Sequence, residues 1–419
     1  MKLPLSLKVY RFGALLVTPL LPILLKRRLR RGKEHATRLP ERLGHASRAR
    51  PEGRLIWIHS ASVGETMSVL PLVDALVPFG SVMLTTGTVT SAELADRRLP
   101  SGAFHQFVPL DSPLAVHRFF DHWAPDLVLF CESEFWPNLM MEAYARDIPL
   151  GLVNGRMSDR SFRRWQSVRG LIGTLLTPMA LCTAQSDADA TRLRALGAPA
   201  ISLGNLKFDV PALPVDPLSW DSLNAAVADR PVLVAASTHP GEDDQIIAAA
   251  RALSASIPDL LTVLVPRHPA RGEAVAGLAD GAPRRSLGHL PAVGDAFYVA
   301  DTLGELGLFY RSATVAVIGG SLVEHGGHNP IEAIKWHTPV ISGPYIANFR
   351  AIFADLVEAD GVVVLKSGET LTEVLRALLL DPQSREALAS RAIAALARHE
   401  GALDRTLSAL LPILGQKAR

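Results

Sequence analysis

From Arg54 onward, short apolar runs alternate with amphipathic stretches of helix length. The runs LIWIHS (55–60), VMLTT (82–86), HQFVPL (105–110), DLVLFCE (126–132), PLGLVN (149–154), ALCTAQ (180–185) and AISLGN (200–205) predict strands. Helices are predicted between them, among others from Thr66 to Leu76 and from Asn138 to Arg146. Continuous apolar runs, rather than alternating ones, are what strands buried on both faces require, so the pattern predicts a parallel, doubly wound α/β sheet. Pro211, Pro214 and Pro217 then interrupt the pattern and read as a linker. The alternation restarts with PVLVAAST (231–238), LLTVLVP (260–266), DAFYVAD (295–301), ATVAVIGG (313–320) and TPVISG (338–343). The tail from Glu369 is helical in pattern. The expected organisation is an N-terminal arm (1–31), a Rossmann-like domain (32–210), a linker (211–230) and a second Rossmann-like domain (231–419) whose last helices pack back on the first. In such sheets ligands sit outside the carboxyl ends of the strands, which places the reaction in the cleft between two facing domains.

The arm changes this picture. FGALLVTPLLPILL (12–25) is followed at once by KRRLRR, and residues 1–50 carry 13 Lys and Arg against 2 Asp and Glu. The total charge is only +2, so the remaining chain is mildly acidic. The apolar run is shorter than the roughly 20 residues of a straight spanning helix, and Pro19 and Pro22 interrupt it. A cleaved signal peptide would need a small-x-small cleavage site and its heavier basic cluster before the run; neither is present. A membrane anchor is expected, with Lys26, Arg27, Arg28, Arg30 and Arg31 keeping the body in the cytoplasm, and it either spans the bilayer or lies in its interface. Nucleic acid is not expected, because these basic residues lack interleaved aromatics. Two cysteines, Cys131 and Cys182, both in apolar runs, exclude a disulfide scaffold.

G-x-G-x-x-G after the first strand and the P-loop motif are both absent, which lowers the dehydrogenase and ATPase readings. HSASVGET (59–66) closes the first strand with small residues, and Glu65 opens the following helix. Glu65 is either a helix-dipole partner or a general base, and the base role requires a largely apolar pocket. CESEFWPNL (131–139) puts Glu132 and Glu134 at a strand end, on one face if the strand period continues. Arg156, Arg160, Arg163, Arg164 and Arg169 surround Phe162 and Trp165; they form either a solvated basic face or a phosphate contact. GNLKFD (204–209) carries Lys207. In the second half, VPRHPAR (265–271) follows a strand, DTLGEL (301–306) opens a helix, and IGGSLVEHGGHNPIEA (318–333) flanks a helix N-terminus with glycine pairs. That N-terminus reads as an anion site, and Glu332 as an acceptor for ribose hydroxyls. His325 and His328 as metal ligands are the weaker reading, for want of a third ligand. Asp187-Ala-Asp189 mimics a metal-binding D-x-D but precedes TRLRALG as a helix start.

Taken in this order and spacing, HSASVGET, CESEFWPNL, NGRMSDRSFRRW, GNLKFD, PRHPAR and GGSLVEHGGHNPIEA resemble the transferases of 3-deoxy-D-manno-octulosonic acid (Kdo), from the arm to about residue 358. The resemblance implies a GT-B glycosyltransferase with two Rossmann-like domains facing across a cleft. It implies an inverting, metal-independent reaction with no cofactor, moving Kdo from CMP-Kdo to a lipid A precursor at the cytoplasmic face of the inner membrane. It implies Glu65 as proton acceptor, with Glu132 and Lys207 as transition-state stabilisers. It implies CMP contacts at Pro266, Arg267 and His268, at Leu303, Gly304 and Glu305, and at Asn329, Pro330, Ile331 and Glu332. Two rival readings are a UDP-sugar transferase or epimerase of the same architecture, and a membrane-tethered nucleotide-binding protein without turnover. The number of Kdo units transferred is open.

Overall fold

The computed structural model describes residues 4–415, and the chain divides into two compact units, residues 1–210 with 399–419, and residues 211–398. The first unit holds a seven-stranded, wholly parallel sheet of β1 (Leu55–His59), β2 (Ser81–Thr86), β3 (Ala103–Phe107), β4 (Leu127–Cys131), β5 (Leu150–Gly155), β6 (Leu181–Ala184) and β7 (Ala200–Ser202). Their spatial order is β3-β2-β1-β4-β5-β6-β7, so the order reverses beside β1. At such a switch point the loops after β1 and β4 diverge to opposite faces and leave a crevice. Every residue of β1 is buried, as helices on both faces demand. Trp57 anchors one face: its ring meets Phe119, Phe120 and Phe130 with centroids 4.8, 5.6 and 5.7 Å apart, and its Nε1 donates to Thr85 Oγ1 at 2.8 Å.

The last helix, Ala402–Leu414, belongs to this first unit. Asp209 holds its start, accepting the N–H groups of Gly401 (2.6 Å) and Leu403 (2.7 Å), an acidic side chain at the positive end of a helix. Leu410 and Leu414 bury in the same cluster as Val69, Leu72 and Leu76.

The arm forms helices Leu5–Val17 and Leu21–Leu29, joined by a 3₁₀ turn at Thr18–Leu20 where Pro19 interrupts the hydrogen-bond ladder. The 25 residues Leu5–Leu29 are long and apolar enough to cross a membrane. Leu7, Leu21 and Leu25 are nevertheless buried, and Tyr10 Oη donates to Asp111 at 2.8 Å. The other face exposes Leu5, Val9, Phe12, Leu16, Leu20 and Ile23.

The second unit holds a six-stranded parallel sheet in the order β10-β9-β8-β11-β12-β13, made of β8 (Val232–Thr238), β9 (Leu261–Pro266), β10 (Phe297–Val299), β11 (Val315–Ile318), β12 (Val340–Ser342) and β13 (Val363–Val364). The strand β13, two residues long, is too short for an apolar run to announce it. The expected linker is not all linker: Pro217–Val227 is a helix, capped by Asp216 accepting the Ser219 N–H at 2.8 Å, with Pro217 at its first position.

Candidate active site

In the first unit the site grows from the carboxyl ends of β1, β4 and β7. Helix Val63–Leu76 begins right after β1, and Ser62 caps it. The Glu65 carboxylate folds back over its own helix start. Its Oε2 accepts the Ala61 N–H at 2.8 Å and its Oε1 the Ser62 hydroxyl at 3.0 Å. Burial pushes this carboxyl up to about 7; the Ala61 bond opposes the rise, and the nearby Glu132 and Glu134 charges add to it. A carboxyl poised near neutrality and half open to solvent is suited to take a proton from a hydroxyl.

Glu132 and Glu134 do not share a face in the expected way. Strand β4 ends at Cys131, and Glu132 turns the chain with φ of +54°, so the period of two stops before it. The two carboxylates consequently find different partners. Glu132 Oε1 accepts from Lys207 Nζ at 2.8 Å. Glu134 Oε2 accepts from Trp136 Nε1 at 2.7 Å and lies 3.7 Å from His59 Nε2. Burial raises the Glu134 carboxyl, but His59 and Trp136 outweigh it and hold it below the usual carboxylate value. Lys207 is placed by a relay: Asn154, itself at φ +53°, accepts the Leu206 N–H at 3.0 Å, and Asn205 accepts the Lys207 N–H at 3.1 Å. Glu65, Glu132 and Lys207 are thus brought together, the last two as one ion pair near the Glu65 carboxyl. His59 escaped the sequence reading; its only signal is an imidazole at the end of a buried strand.

The arginine-rich segment is helical from Asp159 to Gln166. Arg156, Arg160, Arg163, Arg164 and Arg169 are exposed, while Phe162 and Trp165 pack on the core, with the Trp165 ring 6.0 Å from Phe135. Of the D-x-D mimic, Asp189 accepts the Met157 N–H at 2.7 Å and Ser186 caps the helix, so both acids belong to a helix start.

In the second unit the loops after β8, β9 and β11 converge. Pro266 ends β9, and Arg267 and His268 are exposed just beyond it. His239, after β8, stacks on His328 with Nε2 atoms 2.9 Å apart, and its ring also lies 3.7 Å from that of His325 and 6.3 Å from that of His268. Among the described residues no three His, Cys, Asp or Glu side chains are arranged to hold a metal ion.

The glycine-flanked turn differs from expectation. The helix at Ile331–Ile334 is a single turn, too short for a helix dipole of any size. The Gly320, Ser321 and Leu322 N–H groups are taken by Glu242, a wholly buried carboxylate that also accepts the His239 N–H, at distances of 2.7–3.0 Å. The first glycine pair is thus closed over a carboxylate of the protein's own. Gly319 is required because a Cβ would meet the Ser237 carbonyl oxygen at 2.4 Å, and Gly320 because φ is +66°. Asn329 Oδ1 accepts the Ile331 N–H at 3.2 Å, with Pro330 before the turn and Glu332 3.4 Å from the Asn329 amide.

The remaining expected contacts follow β10. Leu303 is exposed and Gly304 has φ of +88°. Glu305 is the cap before helix Leu306–Ser312, not part of its first turn, and its carboxylate is forked by Arg285. Burial raises the Glu305 carboxyl, and Arg285 and Thr302 more than offset it, so it stays below the usual range.

Residues 37–210 match the family described as 3-deoxy-D-manno-octulosonic-acid transferase (kdotransferase), and residues 294–395 match glycosyl transferases group 1. The 3-deoxy-D-manno-octulosonic acid transferase of Haemophilus influenzae is 39% identical over 392 residues, 90% of this chain and 91% of its own. That of Bordetella pertussis is 36% identical over 97% of this chain and 99% of its own. In fold, the UDP-GlcNAc 2-epimerase of Neisseria meningitidis aligns with a TM-score of 0.59 at 15% identity over 86% of this chain and 100% of its own.

Proposed function

The chain belongs to the 3-deoxy-D-manno-octulosonic acid transferase family, a glycosyltransferase that moves Kdo in lipopolysaccharide biosynthesis, and from that premise we propose that its donor is CMP-Kdo and its acceptor a lipid A precursor such as lipid IVA. The observation that carries the chemistry is the Glu65 carboxyl at about 7, in reach of solvent at the tip of β1. Glu65 takes the proton of the acceptor hydroxyl as that oxygen attacks the anomeric carbon from the face opposite the phosphate. The CMP phosphate leaves with the electron pair of the broken bond, and the configuration inverts. The Glu132–Lys207 pair beside the base keeps a cation near the developing charge without lowering the Glu65 carboxyl as a lone lysine would. In the second unit Pro266 to His268, Leu303 to Glu305 and Asn329 to Glu332 hold CMP, and Arg267 supplies the positive charge a metal supplies elsewhere.

The deciding experiment incubates the protein with CMP-Kdo and tetraacylated lipid A precursor, with and without EDTA, and reads the lipid by mass spectrometry. A mass gain of Kdo in both samples is expected. No gain refutes the acceptor or donor, and a gain lost with EDTA refutes the metal-free reaction. A UDP-sugar donor, the closest rival, would show as UDP binding in place of CMP binding.

The acceptor carries phosphates on its sugar head, and the exposed arginines of 156–169 are the proposed contact. The double variant Arg163→Glu/Arg164→Glu is expected to raise the acceptor KM about tenfold and leave CMP-Kdo binding unchanged, as two charge-assisted contacts are lost. Kinetics with each substrate varied in turn check this.

For the arm, the proposed site is the cytoplasmic side of the inner membrane, held by the exposed apolar face of Leu5–Leu29. Deleting residues 1–31 also strips Leu7 and Leu25 from the body, so a gentler variant isolates membrane binding. Phe12→Glu/Leu16→Glu/Ile23→Glu is expected to shift the protein from the membrane pellet to the supernatant at moderate salt, with thermal stability retained.

A further inference from the structure

Four imidazoles meet where the loops after β8, β9 and β11 converge: His239, His268, His325 and His328. His239 and His328 share a hydrogen bond between their Nε2 atoms at 2.9 Å, with rings stacked at 15°. Such a bond requires one ring to donate and the other to accept, so at least one of the two is neutral. The charged and titratable groups facing the pair come from every loop around it: His325 from its own loop, His268 and Arg267 from the end of β9, and Glu242 beneath the His239 backbone. Burial above all, with Arg267 and the neighbouring imidazoles, depresses both rings, His328 to about 4, which favours the neutral pair. The Glu242 carboxylate does not hydrogen-bond to the rings, because its oxygens are committed to backbone N–H groups.

We propose that the His239–His328 pair takes up a proton when the phosphate of a nucleoside monophosphate binds beside Arg267 and His268, and that it holds this proton against the charge the phosphate gains on leaving the sugar. The proposal rests on the reading of the second unit as the CMP site. In the donor the phosphate is a diester with a single negative charge. When the bond from the anomeric carbon to the phosphate oxygen breaks, the electron pair stays on that oxygen and CMP becomes a monoester whose second proton dissociates near pH 6. The acceptor oxygen forms the new bond, and its proton goes to Glu65. The second negative charge on CMP then faces an imidazolium, a preorganised counter-charge that needs no metal. An anion within about 4–6 Å raises an imidazole and so opposes the burial and the neighbours that lower it, which is why binding favours uptake.

Titration calorimetry of the full chain with CMP at pH 7.5, in buffers of different ionisation enthalpy, reads the proton directly. Net proton uptake is expected for the native protein. His328→Gln keeps a hydrogen-bonding side chain but cannot hold the proton, and is expected to bind CMP without uptake and to lower kcat about 10²-fold. His239→Asn gives the same result from the other side of the pair and serves if the first variant does not fold. CMP binding without uptake in the native protein overturns the pair while leaving the donor assignment standing, as does uptake unchanged in the variants. No binding of CMP at all overturns the donor assignment and the pair with it.

Discussion

Glu65→Gln is expected to lower the transfer rate by about 10²–10⁴-fold, the usual contribution of a positioned general base, with CMP binding unchanged. The base works only when ionised. With its carboxyl at about 7, kcat/KM therefore falls about tenfold for each pH unit below 7 and levels off above it. The same shift has a stability signature. A carboxyl whose folded value is raised stabilises the fold at low pH and loses that contribution as pH rises from its unfolded value, near 4.5, through about 7. Glu65→Gln is thus expected to raise the melting temperature at pH 8 and not at pH 4. Glu132→Gln tests the wiring. It removes a negative neighbour and leaves Lys207 without its partner, so the acid limb of the pH–rate profile moves to lower pH. A flat profile between pH 5 and 8 in the native protein would remove Glu65 from the base role.

Glu242→Gln is expected to disable the donor site without touching the donor. The carboxylate satisfies four backbone N–H groups across two loops, and a glutamine amide offers one acceptor oxygen and turns two of its own hydrogens toward donors. Leaving buried N–H groups unpaired costs about 1–3 kcal/mol each. The 319–322 turn is expected to open, with CMP affinity falling about 10²-fold and the second unit destabilised by about 3 kcal/mol. Hydrogen exchange over residues 239–242 and 319–328 locates the loss. Native protection there, with full CMP affinity, would refute the structural role.

The alternation of apolar runs was enough for both parallel sheets, because a strand covered on both faces is apolar through its interior, as β1 and β8 are up to the polar residues at their carboxyl ends, His59 and Ser237–Thr238. Polar groups at strand ends were also legible, since Glu65 and Arg267 lie in the loops and helix starts that follow apolar runs, and topology puts such positions at the carboxyl edge of the sheet. What escaped were partners distant in the chain. Nothing local tells Lys207 to pair with Glu132, 75 positions away, or Glu242 to hold the turn at Gly320 to Leu322. Short features misled for the opposite reason: NPIE reads as a helix start, but the helix stops after one turn at Lys335, with His337 beyond it at φ +59°.

By itself, then, the sequence determined the two α/β sheets, the apolar arm and the residue types at each strand end, because periodicity and spacing are local properties of a chain. Only the tertiary structure decided which carboxylate is raised toward neutrality, which is half of an ion pair and which is a buried clamp. Those roles depend on burial and on neighbours from other loops, and a carboxylate takes its proton affinity from its surroundings rather than from its place in the chain.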